Sequence, residues 1–383
     1  MDFDLSPQHA EIRRTVRDFA DGRIAPAADE MERKAEFPMA LVREAAGLGL
    51  LGVPYPEEIG GTGLDSLAYA ITVEELSRVS GSMGIIVSAH TSLGCNPIWI
   101  AGTDEQKERY LRPMASGDVI GAYGLTEPDA GSDSRGTRTR AHWDGECWVI
   151  NGGKRFITNA GVAGTYIITA VTDSEVGSGK ISAFIVTADT PGFSVGRMEE
   201  KMGLHASNTG ELIFTDCKVP AENMLGPEGE GDKLFLKTLD GGRIGIAAMA
   251  LGLAQAAYEA ASAYAKERRQ FDRPIGTFQG VAFMIADMAL EIDAARLMTY
   301  RAAWLKDQGR PYSTEAAMAK LYASEVAMRA TNASVQVHGG YGYITEYKVE
   351  RYLRDAKLTE IGEGTSQIQR MVIARNLLGL RAM

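Results

Sequence analysis

Near the C-terminus runs Ile361-Gly362-Glu363-Gly364-Thr365-Ser366-Gln367-Ile368-Gln369-Arg370. A carboxylate stands between two glycines, just ahead of an apolar-periodic run from Met371 to Leu380. Ser366, with Gln369 three residues on, has the spacing of a capping box, so a helix is expected to start there. A carboxylate beside backbone N–H donors suits proton abstraction next to a carbonyl. The carboxylate takes the proton, and the N–H groups hold the oxygen that gains charge. Taken alone, the segment reads more readily as a solvated loop, so other segments must decide.

Four of them bear on it. Tyr123-Gly124-Leu125-Thr126-Glu127-Pro128-Asp129-Ala130-Gly131-Ser132-Asp133 offers small residues, free N–H groups and hydroxyls at the end of an expected strand. Such a loop can approach a flat polar ring closely, or be an ordinary turn. Lys154-Arg155-Phe156-Ile157-Thr158-Asn159-Ala160-Gly161 supplies an aromatic face and a hydroxyl, which strand alternation puts on one side. Arg268, in Glu267-Arg268-Arg269-Gln270-Phe271, could pair with a phosphate or simply answer a helix dipole. The glycines of Gln336-Val337-His338-Gly339-Gly340-Tyr341-Gly342-Tyr343 allow close backbone approach, or a plain C-cap. No strand precedes them, so they are not a GxGxxG fingerprint.

These residues need elements to position them, and the chain supplies three compositional regions. The expected domains are residues 1–117, helical; 118–231, many short strands; and 232–383, helical again. In the first, Ser6-Pro7 reads as an N-cap with Pro at N1, Leu67 to Arg78 as a helix, and Asp104 as a cap. In the second, Tyr166 to Val171 and Ile181 to Val186 are β-branched runs. They are punctuated by turn signals such as Asn151-Gly152-Gly153, Asp173-Ser174 and Thr190-Pro191-Gly192. That pattern suggests an antiparallel barrel or sandwich. In the third, Gly245 to Lys266, Phe278 to Asp307 and Thr314 to Val337 are long helical patterns that should form a four-helix bundle.

At 383 residues, with 45% hydrophobic and 23% charged residues, the chain is of ordinary globular composition and long enough for two or three domains. A net charge of −10 and a pI of about 5.2 argue against nucleic-acid binding as the main task. Cys95, Cys147 and Cys217 are distant and odd in number, which suggests neither zinc nor disulfides and is simplest in a reducing cytoplasm. The opening Met1-Asp2-Phe3-Asp4-Leu5 has neither a basic nor an apolar leader character, and no run of ~18 apolar residues marks a membrane span.

In this order and on this helix–strand–helix plan, the segments resemble the acyl-CoA dehydrogenase family, in particular its short-chain, butyryl-type branch. The resemblance runs along essentially the whole chain. It is carried by Ala122 to Pro128 with Gly131-Ser132-Asp133, by Gln336 to Tyr343 with Arg354-Asp355-Ala356-Lys357, and by the Glu363 segment. It implies FAD as cofactor and a saturated acyl-CoA as substrate, oxidised to the trans-2-enoyl-CoA. It also implies an electron-transfer flavoprotein as acceptor and a homotetramer.

Residue by residue, the resemblance makes Glu363 the catalytic base, with Gly364 beside the substrate. Tyr123, Leu125 and Thr126 would line the flavin ring, Phe156 and Thr158 its other flank, and Thr365 and Gln367 the part next to the base. Arg268, Phe271, Gln279, Gln336, Gly339 and Gly340 would reach the FAD of a neighbouring subunit. Ser132, Asp240 and Arg243 would contact acyl-CoA, with Ser207 a further candidate at the CoA end. One branch of the family carries its Glu where this chain has Gly241-Gly242, so Glu363 is unopposed. Gly362 replaces a Tyr common before that Glu, which bears on acyl-group preference. Alternatives on the same scaffold are a dicarboxyl or branched acyl-CoA dehydrogenase and an acyl-CoA oxidase; a non-catalytic acyl-CoA- or flavin-binding protein is the alternative from another class. An Arg that marks the glutaryl branch is absent around Gly84-Ile85-Ile86.

Overall fold

The computed structural model describes residues 4–173 and 179–380. Met1 to Phe3 and Ser174 of the Asp173-Ser174 turn signal lie outside them. Helices come first. α1 (Pro7–Phe19) starts as expected, with the Ser6 hydroxyl accepting from His9 N–H and Pro7 at N1. α2 (Ala25–Lys34) and α3 (Ser66–Val79) follow, α3 capped by Asp65 accepting from Ala68 N–H at 2.8 Å. Asp104 is not a cap. Thr103 is, in a reciprocal box with Gln106, because the threonine hydroxyl takes the Gln106 N–H while the glutamine carbonyl takes the Thr103 N–H.

One eight-stranded sheet forms the middle: β1 (Gly121–Gly124), β2 (Arg140–Trp143), β3 (Cys147–Thr158), β4 (Thr165–Asp173), β5 (Lys180–Thr187), β6 (Phe193–Met198), β7 (Thr209–Pro220) and β8 (Met224–Leu225). Its order is β6-β7-β3-β2-β4-β5-β8, with β1 also on β4. It is not purely antiparallel, since both β1 and β2 run parallel to β4. The buried faces of β4 and β5, with Tyr166, Ile168, Phe184 and Val186, pack under α1 and α2 in one apolar cluster.

Three long helices follow: α4 (Gly231–Glu267), α5 (Gln279–Asp307) and α6 (Ser313–His338). A two-stranded hairpin, β9 (Arg269–Gln270) and β10 (Arg273–Pro274), joins the first two. α7 (Val349–Ala356) and α8 (Ser366–Leu378) complete the chain. α8 is shorter than its three partners, and α3 packs against α4 in the same core of small side chains. By length and composition α4 could cross a membrane, but 78% of its most apolar window is buried, which is the burial of a core helix. Among the described residues no cluster of three or more His, Cys, Asp or Glu could hold a metal.

Candidate active site

Glu363 sits in a tight turn ahead of α8. Its φ is +55° and that of Gly364 is +95°, so two consecutive residues are left-handed, which glycine accepts and glutamate resists. Side chains hold the turn. Lys320 Nζ donates to Gly364 O at 2.7 Å, and Gln369 Nε2 donates to the same carbonyl at 2.8 Å and to Glu363 O at 3.3 Å. The expected Ser366 cap is displaced by one residue: Thr365 Oγ1 accepts from Ile368 N–H, while Ser366 is buried at N1. Gln369 is freed from capping and braces the turn instead.

Glu363 keeps some exposed surface, yet both carboxylate oxygens are sealed from solvent and meet no hydrogen-bond donor. Burial pushes its carboxyl up to about 7, against the opposing pull of Lys320 and then Arg243. Its backbone N–H meets no acceptor among the described residues. The carboxylate rests on α4 at Gly242, where a Cβ would lie 1.9 Å from Oε2 and 3.0 Å from Leu93. Leu93 belongs to a π-helical stretch, Ala89–Cys95, tied to β1 by Gly121 N–H donating to His90 Nδ1 at 2.9 Å. One turn along α4, a Cβ on Gly245 would strike the hydroxyls of Tyr69 and Ser88. Two glycines on one face of α4 thus let the Glu363 carboxylate and the Tyr69 and Ser88 hydroxyls pack directly against the helix backbone.

The end of β1 and the loop after it pack on the same helix. Tyr123 is buried, stacks on Phe235 of α4 at 4.3 Å and donates to Phe235 O. Leu125 lines a groove with Ser134, Arg135, Asp232, Phe235 and Leu239. Next along α4, Arg243 is buried and donates to Asp240 Oδ1 at 2.6 Å, while the Ser313 hydroxyl donates to the same oxygen at 2.9 Å. Arg243, so paired, is near enough to Glu363 for its charge to act on that carboxyl. Ser132 is exposed on the same loop as Leu125. Ser207 differs: it is buried in the loop between β6 and β7, its carbonyl accepting from Lys201 Nζ, and no hydrogen bond joins it to Asp240 or Arg243.

The second flank is built on a buried ion pair. Lys154 is fully buried, and its ammonium reaches Glu127 at 2.6 Å, Thr169 Oγ1 at 3.1 Å and Leu125 O at 3.3 Å. Glu127 also accepts from the N–H groups of Arg138 and Thr139. Arg155 N–H donates to Thr126 O at 2.8 Å, so β3 and the β1 loop are tied twice. Simple alternation of Phe156 and Thr158 fails here. A bulge falls between Lys154 and Ile157, and Phe156 adopts φ +58° with 61% of its surface exposed. An exposed aromatic in a left-handed conformation is costly unless something covers it.

The remaining expected flavin residues form a separate group. Arg268, Phe271, Gln279, Gln336, Gly339 and Gly340 are all exposed, Phe271 at 87%. The Arg268 guanidinium lies 5.5 Å over the Tyr341 ring, and Gly339 takes φ +62°, ψ −134°, which only glycine adopts readily. Gln336 is sixteen residues beyond Lys320 on α6, roughly 24 Å along the axis. This group cannot reach the Glu363 turn of its own chain.

Three family models cover nearly the whole sequence: acyl-CoA dehydrogenase N-terminal domain over residues 6–118, middle domain over 122–217 and C-terminal domain over 229–378. The chain belongs to the acyl-CoA dehydrogenase family. A short-chain-specific acyl-CoA dehydrogenase of Clostridium acetobutylicum is 52% identical over 98% of this chain and 99% of its own length. Butyryl-CoA dehydrogenase of Megasphaera elsdenii superposes with TM-score 0.96 at 47% identity, over 99% of this chain and 100% of that one. A solved chain described under the electron-transferring flavoprotein of Acidaminococcus fermentans gives 0.97 at 50%, over 99% and 100%. An acyl-CoA dehydrogenase of Bacillus anthracis complexed with FAD gives 0.93 at 36%, over 98% and 68%.

This acyl-CoA dehydrogenase is an FAD-dependent oxidoreductase, and the residues present fit that cofactor. Phe156 offers an uncovered aromatic face, while Ser366 Oγ and Gln369 Oε1, just beyond Glu363 in the chain, are buried polar atoms without partners among the described residues. At Gly339 and Gly340 a Cβ would meet nothing within 4 Å, so the backbone there is open to close approach.

Three features of the site escaped sequence reasoning: Lys320, Gln369 and the Lys154–Glu127 pair. For Lys320 a signal existed. It is the one cation on the stripe Ala316, Ala319, Ala323, Ala327, whose neighbours predict burial.

Proposed function

We propose that this chain dehydrogenates a saturated short- to medium-chain acyl-CoA to the trans-2-enoyl-CoA, with Glu363 as general base. The observation that carries the proposal is the pair of sealed, unpartnered Glu363 oxygens lying against the bare α4 backbone at Gly242. A carboxylate so placed is basic enough to take an α-proton near neutral pH. The free Glu363 N–H is placed to donate to the thioester oxygen as it gains charge. Tyr123, Leu93 and Phe235 exclude water from the reacting carbons. FAD, when bound, supplies the two-electron acceptor for the β-hydrogen. Tyr123, Leu125, Thr126, Phe156, Thr158, Thr365 and Gln367 would hold its ring, and Asp240, Arg243 and Ser132 the CoA arm. The product class is that of a fatty-acid β-oxidation step.

Straight-chain substrates are favoured over glutaryl-CoA. Gly84, Ile85 and Ile86 are buried, and a Cβ on Gly84 would already lie 1.9 Å from Ser77 Oγ, which leaves no room there for a cation. Electrons pass to an electron-transfer flavoprotein, the partner suggested by the Acidaminococcus relative.

The assembly is a homotetramer. Phe283, Leu290, Leu297 and Trp304 recur every seventh residue along α5 and are all exposed, a stripe that a second copy would cover. Arg268 and Gln336 then serve a neighbour's cofactor. Three free cysteines suit a reducing cytoplasm. The domain limits at about residues 117 and 231 belong to the same reading. Anaerobic titration with straight, branched and ω-carboxyl acyl-CoAs of graded length tests the substrate class. Bleaching of the flavin band by straight short chains is expected, and bleaching only by ω-carboxyl substrates would overturn the assignment.

A further inference from the structure

We propose that Lys320 is a positioning residue for the base: through Gly364 O it fixes the Glu363 turn, and its uncompensated charge favours the ionised Glu363 carboxylate. The inference rests on Glu363 being the base, but its physical core concerns only this chain's own residues.

Two cations face Glu363 and they are not equivalent. Arg243, on α4, is neutralised by Asp240 at 2.6 Å, and Arg375 on α8 adds a further positive charge near that pair. Lys320, on α6, is fully buried and donates to Gly364 O, a neutral carbonyl, at 2.7 Å. Among the described residues no salt bridge answers its charge. Glu360, the other carboxylate acting on it, is paired with Lys357 at 2.6 Å. The remaining groups facing Glu363 are neutral phenols, Tyr69 on α3 and Tyr123 on β1, with Tyr312 beyond Arg243.

Lys320 does not hydrogen-bond the carboxylate, whose oxygens have no partner. Its effect on the charge is therefore a field effect, not a proton handover. A direct ion pair would hold the carboxylate and blunt it as a base. A cation held one residue away, on the backbone, favours the charged form while leaving both oxygens free for substrate. The same bond opposes relaxation of the left-handed Glu363. Lys320 is itself pushed down to about 8 by burial, with Glu363 the main group holding it up. Each group thus supports the charge of the other.

Two variants remove the charge. Lys320→Gln keeps a donor without the charge, and Lys320→Met removes both. The first readout is infrared titration of the holoenzyme, following the protonated carboxyl band that disappears in Glu363→Gln. In both variants its midpoint should move up by about one pH unit or more. The second is the pH profile of flavin bleaching by butyryl-CoA, which should shift by the same amount. Should Lys320→Met not fold, Lys320→Gln alone decides the charge effect. A band midpoint equal to that of the unsubstituted protein in Lys320→Gln overturns the proposal, because a purely structural lysine would change yield or stability without moving it. If Glu363→Gln still bleaches normally, the assignment of the base fails instead, and the infrared midpoint still tests the lysine.

Discussion

Gly242 on α4 leaves the space that the Glu363 carboxylate occupies: a Cβ there would stand 1.9 Å from Oε2 and 2.9 Å from Cδ. The backbone at this position is helical, so Gly242→Ala costs nothing locally and even favours the helix by about 1 kcal/mol. The methyl must push the carboxylate aside. Displacement of about 1 Å is worth roughly 100-fold in rate. We expect Gly242→Ala to keep its flavin and its melting temperature while the rate of flavin reduction falls by about that factor, measured by anaerobic stopped flow.

The raised Glu363 carboxyl makes activity and stability depend on pH in opposite senses. The base works ionised, so the reduction rate should climb about tenfold per pH unit up to about pH 7 and then level off. Folding holds the proton more tightly than the unfolded chain does. That stabilising effect is full below the ordinary value of 4.5 and is lost as pH rises through about 7. Glu363→Gln does not titrate. It should match the unsubstituted protein at pH 5 and exceed it at pH 8 by roughly 1–3 kcal/mol in denaturant melts.

The Lys154–Glu127 pair lies under the loop carrying Leu125 and Thr126. Breaking one side leaves a buried charge unpaired, which costs about 3–5 kcal/mol, whereas replacing both is far milder. Lys154→Met should lose stability on that scale and release flavin on gel filtration. The double variant Lys154→Met/Glu127→Gln should recover most of the stability but little of the flavin affinity, because Leu125 O loses its ammonium donor and only the Arg155 N–H still ties the loop at Thr126 O.

Exposed Leu290 lies at the middle of the α5 stripe. A carboxylate there could not be buried against a second copy without a large desolvation cost. Leu290→Glu should sediment as monomers or dimers and bind flavin more weakly, since Arg268 and Gln336 would lose the neighbour they serve. A tetramer of unchanged sedimentation would show that α5 is not the interface.

The helix–strand–helix order was legible because each region has its own period. Ser6-Pro7, the β-branched run in β4 and the alanine-rich face of α4 each commit locally to one structure. The turn that carries Glu363 ahead of a helix was legible too, although its role was suggested only by the resemblance of the whole chain. What surrounds the base was not. The choice of Thr365 over Ser366 as cap depends on Gln369 being drawn to the Glu363 and Gly364 carbonyls, a tertiary contact. The bulge that turns out Phe156 depends on β3 pairing with β7 at one register before the bulge and another after it. Thr103 took the cap from Asp104 because Gln106 could answer it. Side chains such as Lys320 and Lys154 are polar residues at apolar positions, and only the fold shows which carbonyl or carboxylate receives them.

The proposed dehydrogenation depends on Glu363 removing the α-proton. The direct test is anaerobic mixing of Glu363→Gln holoenzyme with butyryl-CoA, following the flavin band. We expect a yellow protein that still binds the thioester but bleaches roughly 10²–10⁴-fold more slowly than the unsubstituted enzyme. Bleaching at the unsubstituted rate would contradict it.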